Sequence, residues 1–88
     1  MPAGNHRSFG RVTATGQVCA TPGRLVGFYV NSTTSGTIVL YDNTSAAAPQ
    51  ITGTITPAIG WHGLTGDFMT ALWAVIGGTI DVTFCIES

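Results

Sequence analysis

Lysine is absent, and only seven side chains carry charge: Arg7, Arg11, Arg24, Asp42, Asp67, Asp81 and Glu87. They make up 8% of 88 residues, against about a quarter in ordinary soluble domains. Three arginines against four acids leave a net charge of −1, so there is no basic footprint for phosphate-led nucleic-acid binding. No run approaches the roughly 20 apolar residues of a membrane-spanning helix. The first residues, Met1-Pro-Ala-Gly-Asn-His-Arg7, lack an apolar leader and read as an unprocessed start. Disorder does not explain the low charge. Disordered chains are poor in apolar residues, and here they make up 44%. A single domain of this length has an expected radius of gyration of about 12 Å. It hides only roughly 60–65% of its unfolded surface, which leaves one thin core and little room for a deep cleft.

Threonine, serine, asparagine and glycine supply the polarity that charge does not. Residues 1–8 are polar and contain Gly and Pro, and they read as a flexible N-terminal arm. Strand-like runs follow at Phe9–Thr15, Gln17–Ala20, Arg24–Asn31, Gly36–Tyr41, Gln50–Thr56, Phe68–Val75 and Thr79–Ile86. Turn chemistry separates them, at Thr21-Pro22-Gly23, Ser32-Thr-Thr-Ser-Gly36, Asp42-Asn-Thr-Ser45 and Gly77-Gly78. Leu72–Ile76 alone could also be a short helix, and two glycines close it. Short runs rich in Val, Ile, Thr and aromatics predict an all-β sandwich or barrel over residues 9–88.

The last run has a period of two. Ile80, Val82, Phe84 and Ile86 share one face, and Asp81, Thr83, Cys85 and Glu87 the other. Two earlier runs are apolar on both faces. In one, Val26, Phe28 and Val30 oppose Leu25, Gly27 and Tyr29; in the other, Ile38 and Leu40 oppose Val39 and Tyr41. Strands apolar on both sides are covered twice. A chain this short has no third layer, so a neighbouring subunit is the economical cover; a tightly curled barrel that tolerates outward apolar residues is the plainer one.

Chemistry is sparse. Cys19 and Cys85 are compatible with two reduced thiols or with one disulfide closing a loop of about 65 residues, which would contribute on the order of 4 kcal/mol. The missing leader argues against oxidation during export. Two distant cysteines and two scattered histidines have no metal-ligand spacing, and no cofactor is expected. A Ser/His/Asp set assembled from Ser32 or Ser35, His62 and Asp67 lacks a nucleophile-elbow sequence, so His62 reads as a loop residue beside Trp61. Trp61 and Trp73 are the largest apolar groups; Trp73 reads as core, and Trp61 as core or partner contact. Arg7 and Arg11 bracket the exit from the arm.

Three stretches carry a resemblance. Gly23-Arg-Leu-Val-Gly-Phe-Tyr-Val-Asn31, Ser35-Gly-Thr-Ile-Val-Leu-Tyr-Asp-Asn43 and Gly77-Gly-Thr-Ile-Asp-Val-Thr-Phe84 resemble small virion proteins of tailed bacteriophages. Those carry G-x-L-x-G-[VF]-x-V-N, then S-G-T-I-x-[VL]-Y-D-N-T, then G-G-T-x-D-V-T. The middle match is the most specific; the outer two are mostly strand-forming composition. The resemblance implies a compact antiparallel β-sandwich, jelly-roll-like, of about 7–8 short strands. It also implies a decoration or cement protein on the outer capsid surface, made in the host cytoplasm. Such a protein forms a homo-oligomer, with a trimer favoured, and binds across major capsid protein subunits without catalysis, nucleic acid or membrane. On this reading Leu25, Tyr29, Val39 and Tyr41 form the subunit interface, and Arg7, Arg11 and Trp61 the capsid contact. Two rivals stand beside it. One is a tail, neck or fibre component, which copy number per particle separates. The other is a carbohydrate-binding or adhesion module using Trp61, His62, Tyr29 and Asp42, for which no cluster of charged or amide partners is visible along the chain.

Overall fold

Two long strands organise the molecule. The structure, a computed structural model, describes residues 7–87. The arm expected over 1–8 therefore lies outside the described residues, except for Arg7 and Ser8, which already stand in a strand. The elements are β1 (Arg7–Val12), β2 (Gly16–Cys19), β3 (Gly23–Tyr41), β4 (Gly60–Phe68) and β5 (Leu72–Glu87). They form one antiparallel sheet in the order β1-β5-β3-β4, with β2 also on β5. The radius of gyration is 12.1 Å.

Five strands replace the seven runs: two expected breaks are bent and not cut, Gln50–Thr56 is not a strand, and β4 (Gly60–Phe68), with His62 in it, forms where a loop was expected. Asn31–Gly36 reads as a turn, yet Ser32, Thr33 and Thr34 pair with Asp81, Ile80 and Thr79. Register shifts between Val30 and Ser32 and between Thr34 and Ser35 bend the ladder without ending it. Gly78, at φ 64°, and Ser35, at φ 53°, take the left-handed conformations this bend requires. Leu72–Ile76 is strand, paired on one side with β2 and on the other with β3. The expected strand Gln50–Thr56 is not one, because it meets β3 only at the isolated bridges Ile38–Ile55 and Tyr41–Gln50. Its backbone still covers that edge. Ile38 and Ile55 exchange amide hydrogen bonds of 2.9 Å in both directions, and the Ile51 amide donates to the Leu40 carbonyl at 2.7 Å.

The bend divides the sheet into two halves. The near half comprises β1, the end of β5, the start of β3, and β4. The far half comprises β2, the start of β5, the end of β3, and the segment 50–55 beside it. Inward residues of both halves share one cluster: Phe28, Val30, Ile38 and Leu40 from β3, with Leu72, Ala74, Ile80, Val82, Phe84 and Ile86 from β5. One face of the curled sheet therefore encloses the whole core, and the other face points out on both halves. Among the described residues no polar or charged side chain is fully buried, which follows from a chain that places its few charges outside.

Leu25 belongs to that core, and the expectation that it forms a subunit interface is corrected. It is 3% exposed. A register shift between Leu25 and Gly27 leaves Val26 as an extra residue on β3, since Leu25 faces Ile86 and Gly27 faces Cys85 on β5. Strict alternation pairs Leu25 with Tyr29; the bulge turns Leu25 inward along with Phe28.

Candidate interaction surfaces

The outer face of the near half is built around one row. Arg11 faces Thr83, Thr83 faces Tyr29, and Tyr29 faces Trp61, across β1, β5, β3 and β4. Three side chains expected at contacts, Arg11, Tyr29 and Trp61, are thus brought together on one surface. Arg7 begins β1 opposite Glu87. Tyr29 is 47% exposed, Trp61 54% and Phe9, also on β1, 78%. A glycine sets the posture of the tryptophan: a Cβ at Gly27 would lie 2.6 Å from Trp61 Cζ2 and 2.7 Å from Cη2. The six-membered ring therefore lies down on the backbone of β3.

Polar groups border this aromatic surface. The Arg11 guanidinium grips Asp81, its Nε donating to Oδ1 at 2.9 Å and its Nη2 to Oδ2. Asn31 Nδ2 donates to Asp81 Oδ1 at 3.2 Å and to Thr83 Oγ1 at 3.1 Å. The Arg11 hydrogen bond holds the Asp81 carboxyl below the usual carboxylate range, against a smaller opposing effect of burial. Asp81 and Arg11 are 70 positions apart in sequence; only the β1–β5 pairing makes them neighbours.

The outer face of the far half has an apolar centre, flanked by Gln17 opposite Trp73 and Gln50 opposite Tyr41. Val39 faces Val75, and Tyr41 faces Trp73. All four are half-buried, and the even-numbered residues between them point into the core. Trp73 lies on this outer face, and its Nε1 is buried without a hydrogen-bond partner. A donor left in that state costs about 1–3 kcal/mol.

The other singled-out residues lie elsewhere. His62 packs its ring on Phe28, with centroids 5.2 Å apart, and its Nε2 meets the Ala58 carbonyl at 2.7 Å. It is a register partner of Phe28, on the opposite side of β4 from Trp61. Ser32 and Ser35 sit in the bend of β3, and Asp67 binds Arg24 at 2.8 Å. Both cysteines are free thiols. The parity of β5 puts Cys85 on the outer face, yet it is 8% exposed, set between Phe9 and Gly27. Cys19 pairs with Leu72 at the other end of β5 and donates to the Thr21 carbonyl at 3.3 Å. Among the described residues no group of three His, Cys, Asp or Glu side chains is placed to hold a metal ion.

Asp42, a candidate for the sugar platform, has no part in the Tyr29–Trp61 row. Its carboxylate accepts from the backbone amides of Met69 at 2.7 Å, Thr70 at 2.8 Å and Ala71 at 3.4 Å. It ties the end of β3 to the β4–β5 turn. The Met69 amide leads in drawing its pKa below the ordinary value, with burial opposing and the Thr70 and Ala71 amides assisting. Asp42→Asn is expected to lose about 1.5–3 kcal/mol, the range for hydrogen bonds to a charged group. A depressed folded-state pKa contributes stability above the ordinary carboxylate range and loses it as pH falls through the lowered value. Urea midpoints of the two proteins should therefore differ at neutral pH and converge in acid, as pH falls through the lowered value. A gap unchanged by acid would mean that the charge of Asp42 is not what holds the turn.

Comparison with protein-family models, with curated proteins and with solved structures finds no match to this chain.

Proposed function

We propose that the chain is a non-enzymatic structural protein of a tailed-phage virion, which decorates the capsid and stabilises it by binding across major capsid protein subunits as a homotrimer. The observation that carries this reading is the outer face of the far half. Val39, Tyr41, Trp73 and Val75 stand side by side on it, half-buried, around an indole N–H with no acceptor. A neighbouring subunit would cover these four side chains.

This assigns the subunit contact to Val39 and Tyr41 and leaves out Tyr29, which belongs to the other half's surface. Arg11 and Trp61, first read as capsid contacts, share that other surface with Tyr29. The curled sheet, whose two halves enclose one core, supports a sandwich of jelly-roll style. A trimer that prefers the assembled shell stabilises it by mass action, and engagement of one chain raises the effective concentration of the next. Low charge suits a surface largely covered by protein, because interface cores are depleted in charged residues.

Light scattering with and without reductant tests the reading. The expected native mass is about three times the 9.1 kDa chain mass, independent of reductant since both thiols are free. Val39→Asp buries a carboxylate in the contact and should return the mass to that of one folded chain. A wild-type monomer, or a Val39→Asp protein with unchanged mass, would overturn the assignment. High copy number in purified particles then separates decoration from a tail, neck or fibre role.

A further inference from the structure

We propose that the outer face of the near half binds a neutral carbohydrate chain, its sugar rings stacked on Trp61 and Tyr29 and its hydroxyls bonded by Arg11, Asp81 and Asn31. This surface is distinct from the Val39 and Tyr41 subunit contact, and the proposal gives Arg11 and Trp61 to a sugar in place of the capsid.

The aromatic geometry comes first. Trp61 and Tyr29 are register partners on adjacent strands, which places their Cβ atoms about 5 Å apart on one face. Trp61 is laid flat by Gly27, whose missing side chain leaves the space its ring fills, and it remains 54% exposed. A flat ring backed by a sheet is a rigid plate. Its negative π-face attracts the weakly positive C–H edge that a pyranose presents. Because the plate is already fixed, little side-chain freedom is lost on binding.

The polar border selects the ligand. Sugar hydroxyls both donate and accept, and the border offers both functions: the Arg11 guanidinium N–H groups not turned to Asp81, the Asp81 carboxylate, and the amide carbonyl of Asn31, whose two N–H groups are taken by Asp81 and Thr83. Arg11 and Asp81 are already joined, so their charges cancel and the surface exerts little pull on a charged partner. The carboxylate is held from two sides, by Arg11 and by Asn31, which fixes its lone pairs in direction. From Arg11 to Trp61 the row crosses three strand spacings, about 14 Å, enough for a few sugar units. A free row of Phe, Tyr and Trp without that border would fit protein as well; fixed, mutually neutral hydrogen-bonding groups favour a hydroxyl-rich ligand.

The test uses the full chain on an array of neutral oligosaccharides, with cellohexaose and laminarihexaose titrated by calorimetry. Binding of at least one probe with a Kd at or below about 1 mM is expected. Trp61→Ala and Asn31→Ala should each weaken it at least tenfold, Trp61→Phe should retain most of it, and Val39→Asp should leave it unchanged. Asn31→Ala removes only surface hydrogen bonds, so it reports on binding even if Trp61→Ala loosens the β3–β4 pair. Absence of binding across the array would overturn the proposal. So would binding that survives both alanine variants, or a Trp61→Ala protein whose loss is of self-association instead.

Discussion

Phe84→Ala should remove about 3–5 kcal/mol of stability, the range for deleting a large buried aromatic. An 88-residue domain has on the order of 4–13 kcal/mol in all, so this substitution leaves it near or below the threshold of folding. Phe84 is fully buried and lies on the central strand, with Gly10 of β1 on one side and Phe28 of β3 on the other. Its ring centroid is 5.6 Å from that of Phe28, and the Phe28 ring in turn carries His62. Truncation opens a cavity where three strands meet, and a sheet held from both sides cannot collapse into it. The neighbour in sequence provides the contrast. Thr83 points to the outer face, so Thr83→Ala should cost below about 1 kcal/mol. Urea unfolding of both variants decides the matter: equal losses would mean that β5 does not alternate as described.

That alternation was legible before the fold was known. Ile80, Val82, Phe84 and Ile86 form an apolar file of period two, and all four are buried. The all-β class was legible for the same reason, since β-branched and aromatic runs separated by turn residues admit little else. What misled was local punctuation. Ser32–Gly36 and Gly77-Gly78 have the composition of turns, but Ser32–Ser35 pairs with Asp81–Thr79 and Gly77 with Thr37 in the β3–β5 ladder, where pairing outweighs local preference. Turn residues there bend two strands together in place of ending either. Leu25 misled for a similar reason, because the bulge that turns it inward depends on how β3 pairs with β5. Gln50–Thr56 has strand-like composition and a neighbour on one edge, but only two bridges form.

The candidate surfaces were legible as parts and not as a whole. Tyr29, Trp61 and Arg11 each stood out by residue type, since tryptophan, tyrosine and arginine are the usual anchors of binding surfaces. Their common row could not be read, because it needs the order β1-β5-β3-β4 and its register. Asp81 and Asn31 gave no signal along the chain; they matter because Arg11, 70 positions from Asp81, is one strand away. His62 adjoins Trp61 in sequence, yet strand alternation sends it to the opposite side, so proximity along the chain was the wrong guide to a shared site.

The bend between the halves should be the second point at which one substitution undoes the fold. Gly78→Val is expected to cost about 2–5 kcal/mol, from two effects that add. A residue at φ 64° is in the left-handed region, which costs an ordinary side chain about 1–2 kcal/mol and a β-branched one more. A Cβ there would also lie 2.5 Å from the Ser35 carbonyl oxygen and 3.2 Å from the Gly36 Cα. Those atoms are backbone and cannot swing aside, so β3 and β5 would have to part where they bend together. Overpacking of this kind adds about 1–3 kcal/mol. Gly53 is the control, because a Cβ there meets nothing within 4 Å and Gly53→Ala should stay within about 0.5 kcal/mol of the parent. Separation of the halves would expose the inward residues of both, so Gly78→Val should lower the thermal midpoint and weaken assembly and carbohydrate binding together. Neither Val39→Asp nor Trp61→Ala should do all three. A Gly78→Val protein as stable as the Gly53→Ala control would show that the bend at Ser35 and Gly78 is not what folds one sheet around one core.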